Sequence, residues 1–179
     1  MTVTTAETAV RDLLEEHAAA MREMDADRLA ACHRPGAVVY DLAPPLAKTF
    51  DREQARAWFA EKGGGSMDYS IRDVEVEVAG DLAVAYGLTR MGDGATFELW
   101  YRSTLVLRET DGRWQIVHVH ESTPFHMDGS FRAAVDLTPE PKRPARRGAP
   151  LSRDGRGVGN RVRGCRGAPA RARSPRTAP

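Results

Sequence analysis

The chain has 179 residues and a formal net charge of +1, a near-neutrality that sums two unlike parts. Residues 1–138 carry 14 Lys/Arg against 23 Asp/Glu, a charge of −9, and residues 139–179 carry 12 against 2, a charge of +10. This length suits one folded domain plus an extension; a single cysteine in each part, Cys32 and Cys165, gives no disulfide framework, and the longest apolar stretch, Leu82 to Leu88, is too short to span a bilayer.

Residues 1–138 are expected to fold as one domain and 139–179 to form a basic, disordered tail. The tail is rich in Arg, Pro, Gly and Ala, and no aromatic residue occurs after Phe131, so little apolar surface offsets chain entropy there. Twelve basic residues can bind nucleic acid by counterion release, but without aromatics for stacking nucleic acid is not an expected partner. The tail's bias also fits a GC-rich gene read out of frame after about residue 142. The N-terminus lacks a basic start followed by an apolar run, so a cytoplasmic protein with no membrane association is expected.

In chain order, Thr4 and Glu7 have capping-box spacing, and Val10, Leu13, Leu14, His17, Ala18, Met21 and Met24 form the inner stripe of an amphipathic helix. Asp25 or Asp27 caps a short second helix that Pro35-Gly36 stops. Residues 37–42 read as the first strand. Asp51 caps a third helix with Ala55, Trp58 and Phe59 inward. Four strands follow, at 67–78 with a slip near Arg72-Asp73 that suggests a bulge, then 82–90, 96–108 and 113–122, with Gly/Asp turns between them. The order α-α-β-α-β-β-β-β implies an α+β fold: a curved antiparallel sheet wrapped over N-terminal helices into a cone-like barrel, with a hydrophobic pocket between.

A three-residue loop, Thr110-Asp111-Gly112, would pair Glu109 with Arg113 and put odd positions on one face. Tyr101, Ser103, Leu105, Val117, Val119 and Glu121 then line the pocket together with Trp58, Asp41 and His17, while Trp100, Arg102, His118 and His120 face outward. That outer face suits a homodimer contact, where aromatics and Arg are enriched. Asp41 itself reads either as a turn residue before Pro44 and Pro45 or as a carboxylate held at the pocket mouth.

The element order and the stretch DGRWQIVHVHES, 111–122, resemble the nuclear transport factor 2-like superfamily, with its ketosteroid isomerase-like and SnoaL-like groups. The resemblance spans roughly 5–138, and TPFHMDGSFRAAVDLTP, 123–139, is similar to the C-terminal extension of one bacterial subgroup. Ketosteroid isomerases place a general-base aspartate where the first strand ends; Val39-Tyr40-Asp41-Leu42 puts Asp41 there. Their oxyanion-hole tyrosine falls at His17, and their second oxyanion donor near Tyr101 or Ser103, where no carboxyl stands.

The expected catalytic set is Asp41 as general base, His17 as oxyanion donor and Glu121 as a second acid or base. The expected activity is cofactor-independent proton transfer (isomerisation, cyclisation or dehydration) on a small apolar carbonyl compound. The alternative is a non-catalytic ligand-binding or dimerisation domain of the same fold. No metal is expected, because His118 and His120 share a strand face but lack a third ligand.

Overall fold

The computed structural model describes residues 4–63 and 66–140. The expected tail lies outside the described residues, apart from Pro139 and Glu140.

Helix α1 (Thr5–Arg22) starts where Thr4 Oγ1 accepts the Glu7 N–H at 3.1 Å. The other half of the capping box is not made, because the Glu7 carboxylate turns to Arg11 at 2.9 Å. Asp25 caps α2 (Ala26–Cys32), accepting from the N–H groups of Asp27 and Arg28. Strand β1 (His33–Tyr40) begins four residues before the expected position and carries Pro35 and Gly36 within it, with Gly36 at φ 81°. A two-residue strand β2 (Lys48–Thr49), which no periodicity in the sequence signals, pairs with β1. Asp51 caps α3 (Arg52–Glu61), and Phe59 is its buried residue.

Strands β3 (Asp68–Ala79), β4 (Leu82–Gly92), β5 (Glu98–Thr110) and β6 (Arg113–Ser122) form the expected meander. The sheet order is β2-β1-β6-β5-β4-β3. The sheet is mixed and not wholly antiparallel, because β1 pairs with β6 in parallel. It is also open, with β2 and β3 as its edges. Helix α1 touches both β3 and β6, which have two strands, β5 and β4, between them. At roughly 4.8 Å per strand, one helix reaches both only if the sheet bends around it.

Two bulges set the inner face. The first is the expected one: pairing slips between Arg72 and Glu75, and Asp73 sits at φ 55°. The second corrects the expected register. The β5–β6 turn is the two-residue Asp111-Gly112, both at positive φ, and Thr110 pairs with Arg113. This one-residue change turns Trp114 and Ile116 inward, opposite to expectation, and both are buried. Val117 is then the extra residue of a bulge between the Leu107–Ile116 and Val106–His118 pairs. It is half-buried and has no partner on β5, so it does not join the inward row as expected. Past the bulge, parity returns, and Val119 and Glu121 face inward as expected.

The core divides along the strands. One apolar cluster holds Val10, Leu14, Val39, Ala85, Leu105, Leu107, Ile116 and Val119. The other holds Ala18, Leu29, Phe59, Met67 and Tyr69, with Met24, Trp58 and Met91 packed against it.

Candidate functional site

Between the two apolar clusters, the inward positions turn polar on each element at about the same level. On β5, Leu105 and Leu107 give way to Ser103 and Tyr101. On β4, Ala83 and Ala85 give way to Thr89, which stands opposite Tyr101. On β6, Val119 is followed by Glu121, opposite Ser103. At the end of β1, Val39 is followed by Asp41, the residue just past the strand. On α1, Val10 and Leu14 are followed by His17. The outcome is one polar row across the concave face: Asp41, Glu121, Ser103, Tyr101, Thr89 and Tyr69, with His17 above its far end.

Burial forces these groups to satisfy one another. Thr89 Oγ1 and Ser103 Oγ lie 2.6 Å apart. The Tyr69 hydroxyl interacts with Thr89 and Tyr101, and the Tyr101 hydroxyl with Glu121. Desolvation pushes the Glu121 carboxyl up to about 7; the neighbouring Asp41 charge adds to this, while the Tyr101 hydroxyl and Lys48 oppose it. Desolvation also raises both tyrosine hydroxyls, which therefore stay protonated as donors.

Asp41 lies at the mouth of the row. Its Oδ2 is 2.6 Å from Lys48 Nζ, and its Oδ1 accepts the Ala43 N–H at 2.9 Å. Both side chains are partly exposed, so the ion pair stands where the row meets solvent.

His17 is 7% exposed, and its Nδ1 is the one buried side-chain polar atom without a partner among the described residues. Its ring lies 5.4 Å from His33 and 5.9 Å from Tyr69. Burial, with His33 nearby, lowers His17 to about 3. His33 donates from Nδ1 to the Leu29 carbonyl at 2.9 Å and stacks on Phe50 at 4.0 Å; burial lowers it to about 4. Both imidazoles are neutral near pH 7.

Open volume lies beside the row. Met67, two residues before Tyr69, and Met91, opposite Tyr69, line a cavity of about 230 Å³ with Met24, Trp58, Lys62 and Phe97. Trp58 lines this cavity, whereas Asp41, His17, Tyr101, Ser103 and Glu121, expected to share one pocket with it, do not. Sequence reasoning missed Lys48, Thr89 and Tyr69 as members of the site. No group of three His, Cys, Asp or Glu able to hold a metal occurs among the described residues. None of their helices is long and apolar enough to cross a membrane.

The SnoaL-like domain family matches residues 10–126. The chain belongs to the SnoaL-like family. Its fold is shared with a nuclear transport factor 2-like protein of unknown function from Pseudomonas putida, at 31% identity and a TM-score of 0.67, covering 77% of this chain and 100% of that one. A provisionally assigned ketosteroid isomerase from Shewanella frigidimarina is similar at 20% identity and a TM-score of 0.54, over 66% of this chain and 98% of that one. A provisionally assigned association domain of calcium/calmodulin-dependent protein kinase II from Xanthomonas campestris is similar at 21% identity and a TM-score of 0.54, over 68% and 96%. No curated protein matches the sequence. The SnoaL-like assignment supports a small-molecule-binding domain.

Proposed function

We propose that this SnoaL-like domain transfers a proton on a small, largely apolar carbonyl compound, with Glu121 as the exchanging group. The observation that carries this reading is the place of Glu121, on the inward face of β6 opposite Ser103 and beside Tyr101 and Asp41, where desolvation raises its carboxyl to about 7. A base poised at the working pH removes a proton next to a carbonyl most effectively. Asp41 had the stronger claim from sequence, but both its oxygens are engaged by Lys48 and Ala43. Its part in the mechanism is to raise Glu121 by like charge.

The step is internally consistent. Glu121 as carboxylate takes the substrate's α-proton and becomes neutral. A neutral carboxyl needs the Tyr101 hydroxyl less, which frees that hydroxyl to donate to the enolate oxygen as charge develops there. Tyr69 supports Tyr101 from behind. The unpartnered His17 Nδ1 provides a further polar contact for a ligand at that end of the row.

Solvent-exchange NMR in deuterated buffer across a panel of small ketones tests the reading. Exchange at the α-carbon should rise through an apparent pKa near 7 and fall about 10²–10⁴-fold in Glu121→Gln. Asp41→Asn should move the profile to lower pH. Undiminished exchange in Glu121→Gln eliminates the mechanism and leaves a non-catalytic ligand-binding domain.

The same proposal includes a homodimer through the outer sheet face. Val38 and Tyr40 are 37% and 41% exposed there; the Tyr40 ring stands 4.9 Å from His118, and Arg72 lies over Trp100. Light scattering of the whole protein should give twice the monomer mass, reverting to one on Tyr40→Glu with His120→Glu. A monomer in the unmutated protein refutes it.

A further inference from the structure

The cavity of about 230 Å³ beside Tyr69 has a chemistry of its own. Met24, Met67 and Met91 bring three thioethers to it, and Trp58 and Phe97 bring two aromatic rings. Thioethers pack favourably against aromatic ring edges, and rings pack against rings. The volume falls below the roughly 300–1,000 Å³ of sites that take drug-sized ligands. It therefore suits one or two fused rings and not a four-ring skeleton.

The charges at its rim are unequal in availability. Asp93 is already used: Oδ1 accepts from the N–H groups of Ala95, Thr96 and Phe97 at 2.8–2.9 Å, and Oδ2 from the Thr96 hydroxyl at 2.6 Å. Those four donors close the β4–β5 loop and place Phe97. Lys62 is different. Its Nζ lies 5.7 Å from the centroid of the Trp58 ring, held by cation–π attraction, and no carboxylate pairs with it among the described residues. The cavity therefore offers a cation and no free anion.

We infer that this cavity binds a planar aromatic carboxylate of one or two rings, with its ring among Trp58 and the methionines and its carboxylate at Lys62. The inference deepens the proton-transfer reading by naming a substrate class, and rests on it for placing the reacting carbonyl towards Tyr69. Tyr69 packs in one cluster with Met67, Trp58 and Met91, so a ligand seated here abuts the polar row.

Calorimetric titration of the full-length protein with 2-naphthoate and with uncharged 2-acetylnaphthalene tests it. Both should bind saturably. Lys62→Gln should weaken naphthoate about fivefold, the scale of an exposed ion pair, and leave acetylnaphthalene within about twofold. Trp58→Ala should weaken both by about tenfold or more. Absence of saturable naphthoate binding overturns the inference, as does an equal loss of both ligands in Lys62→Gln. Loss in Glu121→Gln with no response to Lys62→Gln overturns it as well, because the ligand then sits on the polar row. Lys62 is exposed, so its substitution carries the test should Trp58→Ala not fold. The proton-transfer reading fails separately, when naphthoate binds but exchange persists in Glu121→Gln.

Discussion

Glu121 stands beside Asp41, one step past the Tyr40–His120 pair at the end where β1 and β6 run parallel. Two neighbouring carboxylates repel, and Lys48 offsets that repulsion mainly for Asp41, its direct partner. The two acids are therefore driven apart in behaviour: one is held as a solvent-facing ion pair, the other is a desolvated carboxyl near neutrality.

This asymmetry has a stability consequence with a definite sign. Glu121 has a folded value near 7 against an ordinary 4.5. Between those values the folded chain holds a proton that the unfolded chain has released, so stability falls as pH rises through this window. Glu121→Gln mimics the protonated form and should be more stable than the parent at pH 8 by on the order of 2–3 kcal/mol. The difference should vanish near pH 4. Urea denaturation at the two pH values measures it, and equal stabilities at pH 8 would contradict a desolvated Glu121.

The neutral histidine pair works in the opposite direction. His17 and His33 have folded values of about 3 and about 4, below the usual 6.5. The unfolded chain binds protons first, so stability is full above about pH 6.5 and is lost as pH falls towards 4. Glu121 opposes this trend over part of the window, so the measurement belongs in the Glu121→Gln background. There, His17→Asn with His33→Asn should flatten the slope of unfolding free energy between pH 7 and 4.5, whatever its effect on absolute stability. A slope unchanged by the double substitution would mean that neither imidazole is buried neutral.

The Thr89–Ser103 contact bridges β4 and β5 inside the row. Thr89→Val keeps the volume but removes the hydroxyl, leaving Ser103 short of one partner and Tyr69 of another. The expected cost is about 1–3 kcal/mol. Adding Ser103→Ala should cost less in that background than in the parent, because the orphaned group is then gone. Strictly additive losses in a denaturation cycle would show that the two hydroxyls do not interact.

What the sequence made legible follows the range of the interactions involved. The helices came from local signals: the stripe from Val10 to Met24 and the caps at Thr4, Asp25 and Asp51. The β3 bulge announced itself as a broken alternation at Arg72-Asp73. The parallel pairing of β1 with β6 joins residues some 80 positions apart and leaves no local mark. The β5–β6 register turned on whether Thr110 belongs to the turn, a choice of one residue that moved Trp114 and Ile116 to the other face. The bulge at Val117 then restored the original parity, so Glu121 points inward even though the turn is one residue shorter than expected. Lys48 escaped notice because a two-residue strand has no period to read, and Thr89 because an isolated threonine in a strand looks like any other β-former.

The close fit of β4 against the β3 bulge gives a last prediction at Gly87. A Cβ built there would lie 2.9 Å from the Arg72 carbonyl oxygen and 3.1 Å from Ile71 Cγ2. The first of these is backbone at the β3 bulge and cannot rotate away. Gly87 thus admits the bulge against β4, directly beside Ser103 on β5. Gly87→Ala should cost about 1–3 kcal/mol by overpacking, despite alanine's lower unfolded entropy. The denaturation midpoint should drop with an unchanged slope. A midpoint at or above that of the parent would mean that β3 has room to move, and that the bulge does not fix the inner face as described.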